Sequence, residues 1–360
     1  LIVPADCAWG DFKGDIPQPL EKIKPSAIDH SLVSESIETL KLDGSILFIG
    51  GKFLDESCLK LAAEISSATG CRIVTDTFIS RIRRGAGLPI IEQVPYFAEM
   101  AEEFLKNTSG VVFIGTSVPV SFFAYPDKKS YLLPTETKII NLCSPNQDGY
   151  DALNALSAES GSSSINQDLI QSSIIDIPTS GILDTSSFGP LLAGLMPEDA
   201  IVSDESATSS LFVTSHTLSA KPHDWLALTG GSIGQGLPLA VGAAIAKPDR
   251  PVITLHGDGG AMYTIQALWT QARENLNITN IIFANNSYEI LKIELDRVGA
   301  VQTGERAESM LSLENPKINW PQLSKSMGVP SYAPTSVEEF TKVFTQCIKE
   351  SGPSLIVVSL

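Results

Sequence analysis

The residue types that could do chemistry in this chain gather in one stretch. Gly257-Asp258-Gly259-Gly260 follows a short apolar run, Val252 to Leu255, and Asn285-Asn286 closes a second run, Ile278 to Phe283. Both runs read as buried strands, and about Ala261 to Glu274 reads as a helix between them. Such a unit brings Asp258 and Asn285 to one edge of a parallel sheet, the edge where open α/β sheets bind ligands. A carboxylate and an amide oxygen are hard donors that suit magnesium or calcium. The glycines let backbone approach a ligand closely, and amides at a helix start favour phosphate. The plain alternative is an ordinary βα turn, with Asp258 as a helix cap and Asn285 in a loop.

Other segments could contribute to the same edge. Thr229-Gly230-Gly231-Ser232-Ile233-Gly234-Gln235-Gly236 precedes a helix from Leu237 to Ala246, and so many glycines are entropically costly unless backbone lies against something. Glu205-Ser206-Ala207-Thr208-Ser209 follows a strand from Ala200 to Asp204, so the Thr208 and Ser209 hydroxyls are either phosphate contacts or helix caps. Gly50-Gly51 sits at a strand–helix turn without the full dinucleotide fingerprint, and helix packing explains the pair equally well. Arg81, Arg83 and Arg84 before Gly85 read either as a phosphate-binding cluster or as a solvated loop. His30, His216, His223 and His256 show no metal spacing, and His256 reads as a strand-end residue with a local hydrogen bond.

These candidates need a scaffold, and the pattern supplies one. The chain has 360 residues, 43% hydrophobic and 18% charged, which fits a folded protein of two domains. Its net charge of −16 argues against nucleic acid or an anionic membrane surface as partner. An anionic ligand must then be held by metal and backbone amides. No apolar run is long enough for a transmembrane helix, and no signal peptide is visible. Cys7, Cys58, Cys71, Cys143 and Cys347 lack zinc spacing and read as reduced thiols of a cytoplasm-like compartment, an organelle included.

Alternating strands and helices imply an α/β fold with two doubly wound, Rossmann-like parallel sheets. Leu1-Ile2-Val3 reads as a strand under way, and residues 1–25 as the end of an earlier domain plus a linker. Residues 26–160 read as a middle domain. Its strands are Ser45 to Gly50, Arg72 to Asp76, Val111 to Gly115 and Lys138 to Leu142. Gly161-Ser162-Ser163-Ser164 opens a linker over 161–180. Residues 181–360 form a C-terminal domain whose later elements are helices at Ser186 to Leu195, Tyr288 to Arg297, Trp320 to Met327 and Val337 to Glu350, and a strand at Ser354 to Val358.

In composition and spacing, Gly257-Asp258-Gly259 with Asn285, after 26 residues from Asp258, resembles the cofactor motif of the thiamine-diphosphate-dependent enzymes. Gly231-Ser232-Ile233-Gly234 stands at the matching distance upstream, and the chain is similar to the middle and C-terminal domains of the acetolactate synthase large subunit. The resemblance implies magnesium on Asp258, Asn285 and the Ser287 carbonyl, with Asn286 a competing second ligand. The choice of Asn285 aligns Tyr288 with the aromatic residue that often follows the family's motif. It implies diphosphate contacts from Gly259, Gly260, Thr208 and Ser209. Ile233 would prop the folded cofactor beside Ser232, and the Gly231 carbonyl would accept from the aminopyrimidine. The catalytic glutamate is expected in an N-terminal domain outside this sequence, on a neighbouring subunit of a homodimer or homotetramer.

The implied activity is decarboxylation of a 2-keto acid with carboligation, pyruvate to acetolactate by default. A non-ligating decarboxylase or carbon–carbon lyase shares the same residues, and a non-catalytic cofactor-binding subunit is a third reading. In the family's synthases the middle domain holds FAD. Here the places for it would be the loop from Arg81 to Gly87 and Ser117-Val118-Pro119. Phe122-Phe123-Ala124-Tyr125-Pro126 is similar to a less characterised branch of the family.

Overall fold

The computed structural model describes residues 2–359 apart from 22, 126–127, 163, 174 and 301–303. Two sheets carry the chain. The first comprises β1 (Ile46–Ile49), β2 (Arg72–Thr75), β4 (Glu92–Gln93), β5 (Gly110–Ile114) and β6 (Lys138–Cys143), in the order β4-β2-β1-β5-β6, all parallel. The second comprises β3 (Ile82–Arg84), β7 (Ile201–Glu205), β8 (His223–Leu226), β9 (Val252–Gly257), β10 (Ile278–Ala284), β11 (Ser331–Tyr332) and β12 (Ser354–Ser359). Its order is β11-β12-β10-β9-β7-β8-β3, parallel except for the antiparallel β3–β8 pair. The α/β class read from the sequence is the observed one.

Local chemistry accounts for the element ends. The helix Glu56–Thr69 starts where the Asp55 side chain accepts from the Cys58 N–H and stops at Gly70 in the left-handed region, φ 79°. Thr185–Leu195 opens with a capping box between Asp184 and Ser187. Every residue of β10 is buried, the pattern of a central parallel strand covered on both faces. Phe188 meets Phe283 edge-on at 5.1 Å, so the helix Thr185–Leu195 is seated on β10. On the other face, Leu237, Leu268, Ile282 and Trp320 form a second apolar cluster.

Three expectations change. Ile2 and Val3 form no strand: they are exposed, with a short exposed helix, Ala5–Trp9, next in line. No described strand pairs with them, and an unpaired strand lacks its ladder bonds. The helix expected over Ala261 to Glu274 is two pieces, Asp258–Ala261 and Ala267–Arg273, separated by turns. Thr264, between them, donates its hydroxyl to the Gly234 carbonyl instead of continuing one helix axis. Arg81 to Gly87 is neither a solvated loop nor a free basic cluster, because Ile82–Arg84 is an edge strand of the second sheet. Arg81 bonds Asp224 at 2.8 Å and Arg83 bonds Asp199 at 2.5 Å. Buried Arg84 lies 3.6 Å from the Trp225 ring centre and donates to Thr217 and His223.

Residues of the 161–180 stretch also engage the first half. The Gly87 N–H donates to the Gln171 carbonyl, the Gln171 N–H to the Leu88 carbonyl, and the Ile90 N–H to the Leu169 carbonyl. Leu1, Pro126 and Ser163, part of the segments singled out in the sequence, lie outside the described residues.

Candidate functional site

The site is built at the C-terminal ends of β7, β9 and β10. Parallel register pairs Ile282 with His256 and Phe283 with Gly257, so the chains leaving both strands emerge side by side. Gly257 caps the short helix whose first residue is Asp258. The Asp258 side chain is 2% exposed. Its Oδ1 accepts the Gly259 N–H at 2.8 Å and its Oδ2 accepts the Asn286 N–H at 2.6 Å. Burial pushes its carboxyl above the ordinary range, and those amide donors only partly offset the rise.

Asn285 and Ser287 stand at the same edge. Asn285 Oδ1 accepts the Ser287 N–H at 3.0 Å, an Asx turn that fixes the side chain. Asn286 is left-handed, φ 54°, and carries the amide that reaches Asp258. A short bridge pairs Ser287 with Ser312, and the Tyr288 N–H donates to the Leu311 carbonyl. The Tyr288 ring lies over the glycine turn, where a side chain at Gly259 would meet its Cε1 at 2.6 Å.

This donor set fits a hard divalent cation. A buried carboxylate with no ion pair among the described residues is tied by the Asn286 amide to the segment that carries the Asn285 amide oxygen and the Ser287 carbonyl. Among those residues no cluster of three or more His, Cys, Asp or Glu side chains is suited to a metal. A cation here would therefore rest on one carboxylate plus neutral oxygens and keep net positive charge for an anion. Gly260 and the segment Ala207–Ser209 border the same edge, with Thr208 half-buried and Ser209 buried.

The glycine loop follows β8 and meets the turn after Gly260, where Thr264 donates to the Gly234 carbonyl. Thr229–Gly231 is a single 3-10 turn with Gly230 and Gly231 both at φ 63°. The Gly231 carbonyl accepts the Ile233 N–H at 3.0 Å, Ser232 is exposed, and Ile233 is 50% exposed. A side chain on Gly231 would strike Phe122 Cζ at 2.6 Å, which brings the aromatic segment of the first half onto this loop. Phe122 belongs to a cluster with Phe78 at 4.9 Å and Phe123 at 4.7 Å between ring centres. Tyr125, from the same segment, donates its hydroxyl to Glu294 at 2.7 Å.

Two residues outside the predicted set complete the arrangement. Glu205 ends β7 directly across from His256 in β9, and both are buried. The Glu205 carboxylate accepts the N–H groups of Gly234 and Gly236. His256 Nε2 lies 3.2 Å from Glu205 Oε2, although the direction falls short of a hydrogen bond. Burial would raise the Glu205 pKa, but the imidazole and the two amides outweigh it and hold the carboxyl below its ordinary range. His256 Nδ1 also faces the Gly257 carbonyl at 3.1 Å, the local contact expected from the sequence.

Residues 206–358 match the thiamine pyrophosphate enzyme family, C-terminal TPP binding domain. The chain is 40% identical over 359 residues to the "Putative acetolactate synthase large subunit IlvX" of Mycobacterium tuberculosis, covering 99% of this chain and 69% of the relative. It is 29% identical to a benzoylformate decarboxylase of Pseudomonas aeruginosa over 47% of this chain and 30% of that protein. Among solved structures, the benzoylformate decarboxylase from Polynucleobacter necessarius superposes with a TM-score of 0.75 at 18% identity, over 98% of this chain and 68% of that one. The thiamine diphosphate-dependent 4-hydroxybenzoylformate decarboxylase of Rhodococcus jostii gives 0.70 at 22% identity, over 94% and 66%. At those identities the two structures establish the fold alone. The 40% identity over nearly the whole chain, with the matched domain, shows that this chain belongs to the thiamine-diphosphate-dependent enzymes, among relatives of the acetolactate synthase large subunit.

Proposed function

We propose that the protein binds thiamine diphosphate through magnesium and uses it to decarboxylate a 2-keto acid and ligate the product to a second carbonyl compound, with pyruvate to acetolactate as the reference reaction. The observation that carries this is Asp258: a buried carboxylate without an ionic partner among the described residues, beside Asn285 and Ser287 at the sheet edge. In this reading Asp258, Asn285 Oδ1 and the Ser287 carbonyl hold magnesium. Gly257, Gly259, Gly260, Thr208 and Ser209 face the diphosphate. Ser232, Ile233 and the Gly231 carbonyl meet the ring half, and Tyr288 covers the turn. When bound, thiamine diphosphate supplies the electron sink for breaking the bond to the carboxylate. The chain's own part is to orient it and to shield it from water. FAD has no place on Arg81 to Arg84 in this reading, because those guanidinium groups are engaged by Asp224, Asp199 and Trp225.

A second reading is favoured by one observation, the seating of Phe122 on Gly231 with Phe78 and Phe123 behind it. An aromatic wall beside the ring-binding loop suits a 2-keto acid with a bulky apolar substituent, decarboxylated without ligation. Product analysis of the full-length protein with magnesium and thiamine diphosphate separates the two. Acetolactate from pyruvate is expected. Acetaldehyde alone, or turnover of benzoylformate but not pyruvate, selects the second reading. Loss of cofactor-dependent turnover in Asp258→Ala is expected under both, and retained turnover would sink both. Assembly as a homodimer or homotetramer belongs to the same proposal and is read by light scattering.

A further inference from the structure

The buried carboxylate of Glu205 reaches into the glycine loop. Its Oε1 accepts the Gly234 N–H at 2.5 Å and its Oε2 accepts the Gly236 N–H at 2.6 Å. Gly236 opens the helix Gly236–Ala246, so one side chain satisfies two amides where the loop becomes helix. The same strand adds a further tie, since Ser203 Oγ donates to the Gly236 carbonyl at 2.9 Å. From the turn that follows Gly260, Thr264 Oγ1 donates to the Gly234 carbonyl at 2.7 Å. The two glycine motifs are thus joined through side chains of β7 and of the turn.

Space at this junction is tight. A Cβ at Gly236 would lie 3.0 Å from both Glu205 Cβ and His256 Cδ2, and one at Gly260 would lie 3.0 Å from Glu205 Oε1. Backbone from both motifs therefore converges on one carboxylate. A loop with glycines at 230, 231, 234 and 236 has little conformational preference of its own, so its shape depends on such anchors. Two N–H donors require two acceptor oxygens. A carboxylate provides both, whereas a glutamine would turn an NH2 group toward one of the amides and leave it buried without an acceptor.

We propose that Glu205 is a positioning residue that fixes the ring-binding loop, Gly231 to Gly234, relative to the diphosphate- and metal-holding turn, Gly257 to Gly260. It acts through the amides of Gly234 and Gly236 and does not touch the reacting atoms. This inference rests on the assignment of the two motifs to the two halves of thiamine diphosphate.

The test compares two probes on the full-length protein: thiamine diphosphate with magnesium, and inorganic diphosphate with magnesium, which reports on the turn alone. Titration calorimetry of Glu205→Gln should show thiamine diphosphate affinity reduced about ten-fold or more, about 1.4 kcal/mol. Inorganic diphosphate should bind within about two-fold of the wild type, well under that step. Hydrogen exchange at Gly234 and Gly236 should accelerate in the ligand-free variant. Thr264→Val, which removes the opposite tie with little change in volume, should shift the same ratio in the same direction by less, and it decides the matter if Glu205→Gln does not fold. Unchanged thiamine diphosphate affinity, or equal losses for both probes, overturns the positioning role while leaving the cofactor assignment intact. A wild type that binds inorganic diphosphate but not thiamine diphosphate overturns the assignment and the inference together.

Discussion

The two sheets end in glycine turns beside partly or fully buried carboxylates, yet the two edges are finished differently. At the first sheet, a side chain on Gly50 would strike Asp76 Oδ2 and Thr116 Cβ, each at 2.7 Å, and Thr116 donates its hydroxyl to Asp76. That edge closes on itself, and packing accounts for the Gly50-Gly51 pair. At the second sheet, Asp258 is bonded by backbone amides alone, those of Gly259 and Asn286, and Asn285 and Ser287 flank the second of them. Burial raises the carboxyls of Asp76 and Asp258 alike. A buried acid at a strand end is therefore not enough to mark a site. The distinction lies in what its oxygens accept from: a neighbouring side-chain hydroxyl at one edge, backbone amides at the other.

Matched substitutions can break that comparison. Asp258→Asn should weaken magnesium-dependent thiamine diphosphate binding by about 100-fold or more, because a metal ligand is at least as sensitive as its outer partners. Asp76→Asn should leave the same titration unchanged. Equal effects at the two positions would show that the edges are not functionally distinct. Gly50→Ala should lower unfolding free energy by about 2 kcal/mol in denaturant titration through overpacking, again with cofactor affinity preserved. A loss of affinity there would restore the first sheet as a ligand edge.

The smallest effect concerns the seam between the halves. His223, held neutral by burial and by Arg84, has its pKa pushed down to about 3, against about 6.5 unfolded. The unfolded chain takes up a proton first on acidification, so stability from this group is full above that unfolded value. It falls through the window down to the folded one, by about 1.4 kcal/mol per pH unit at most. His223→Gln should flatten the stability loss between pH 6 and 5 by about 1 kcal/mol. An unchanged acid slope would remove His223 from the seam's pH response.

What could be read from residues follows from how local each feature is. Asp258 and Asn285 belong to one strand–helix–strand unit, and their shared edge follows from its periodicity. Glu205 carries no local signal, because its partners, Gly234 and Gly236, reach it only once β7 lies between β8 and β9. A buried acid paired in register with His256 is the signal, and it needs the strand order to be seen. Ile82–Arg84 gives no strand signal of its own for a related reason. It is short and charged, and its partner β8 lies far along the chain, where Trp225 and Asp224 supply the stacking and ionic contacts its arginines use.

That edge strand has a practical consequence for anyone dividing the chain. A fragment beginning near residue 181 would keep Arg250 on Asp224 but lose Arg81, Arg83 and Arg84 together. β8 would then expose a row of unpaired amides and carbonyls with a bare Trp225, a template for joining other chains. Such a fragment should precipitate or self-associate unless Ile82–Arg84 is supplied back as a peptide or fused onto that margin.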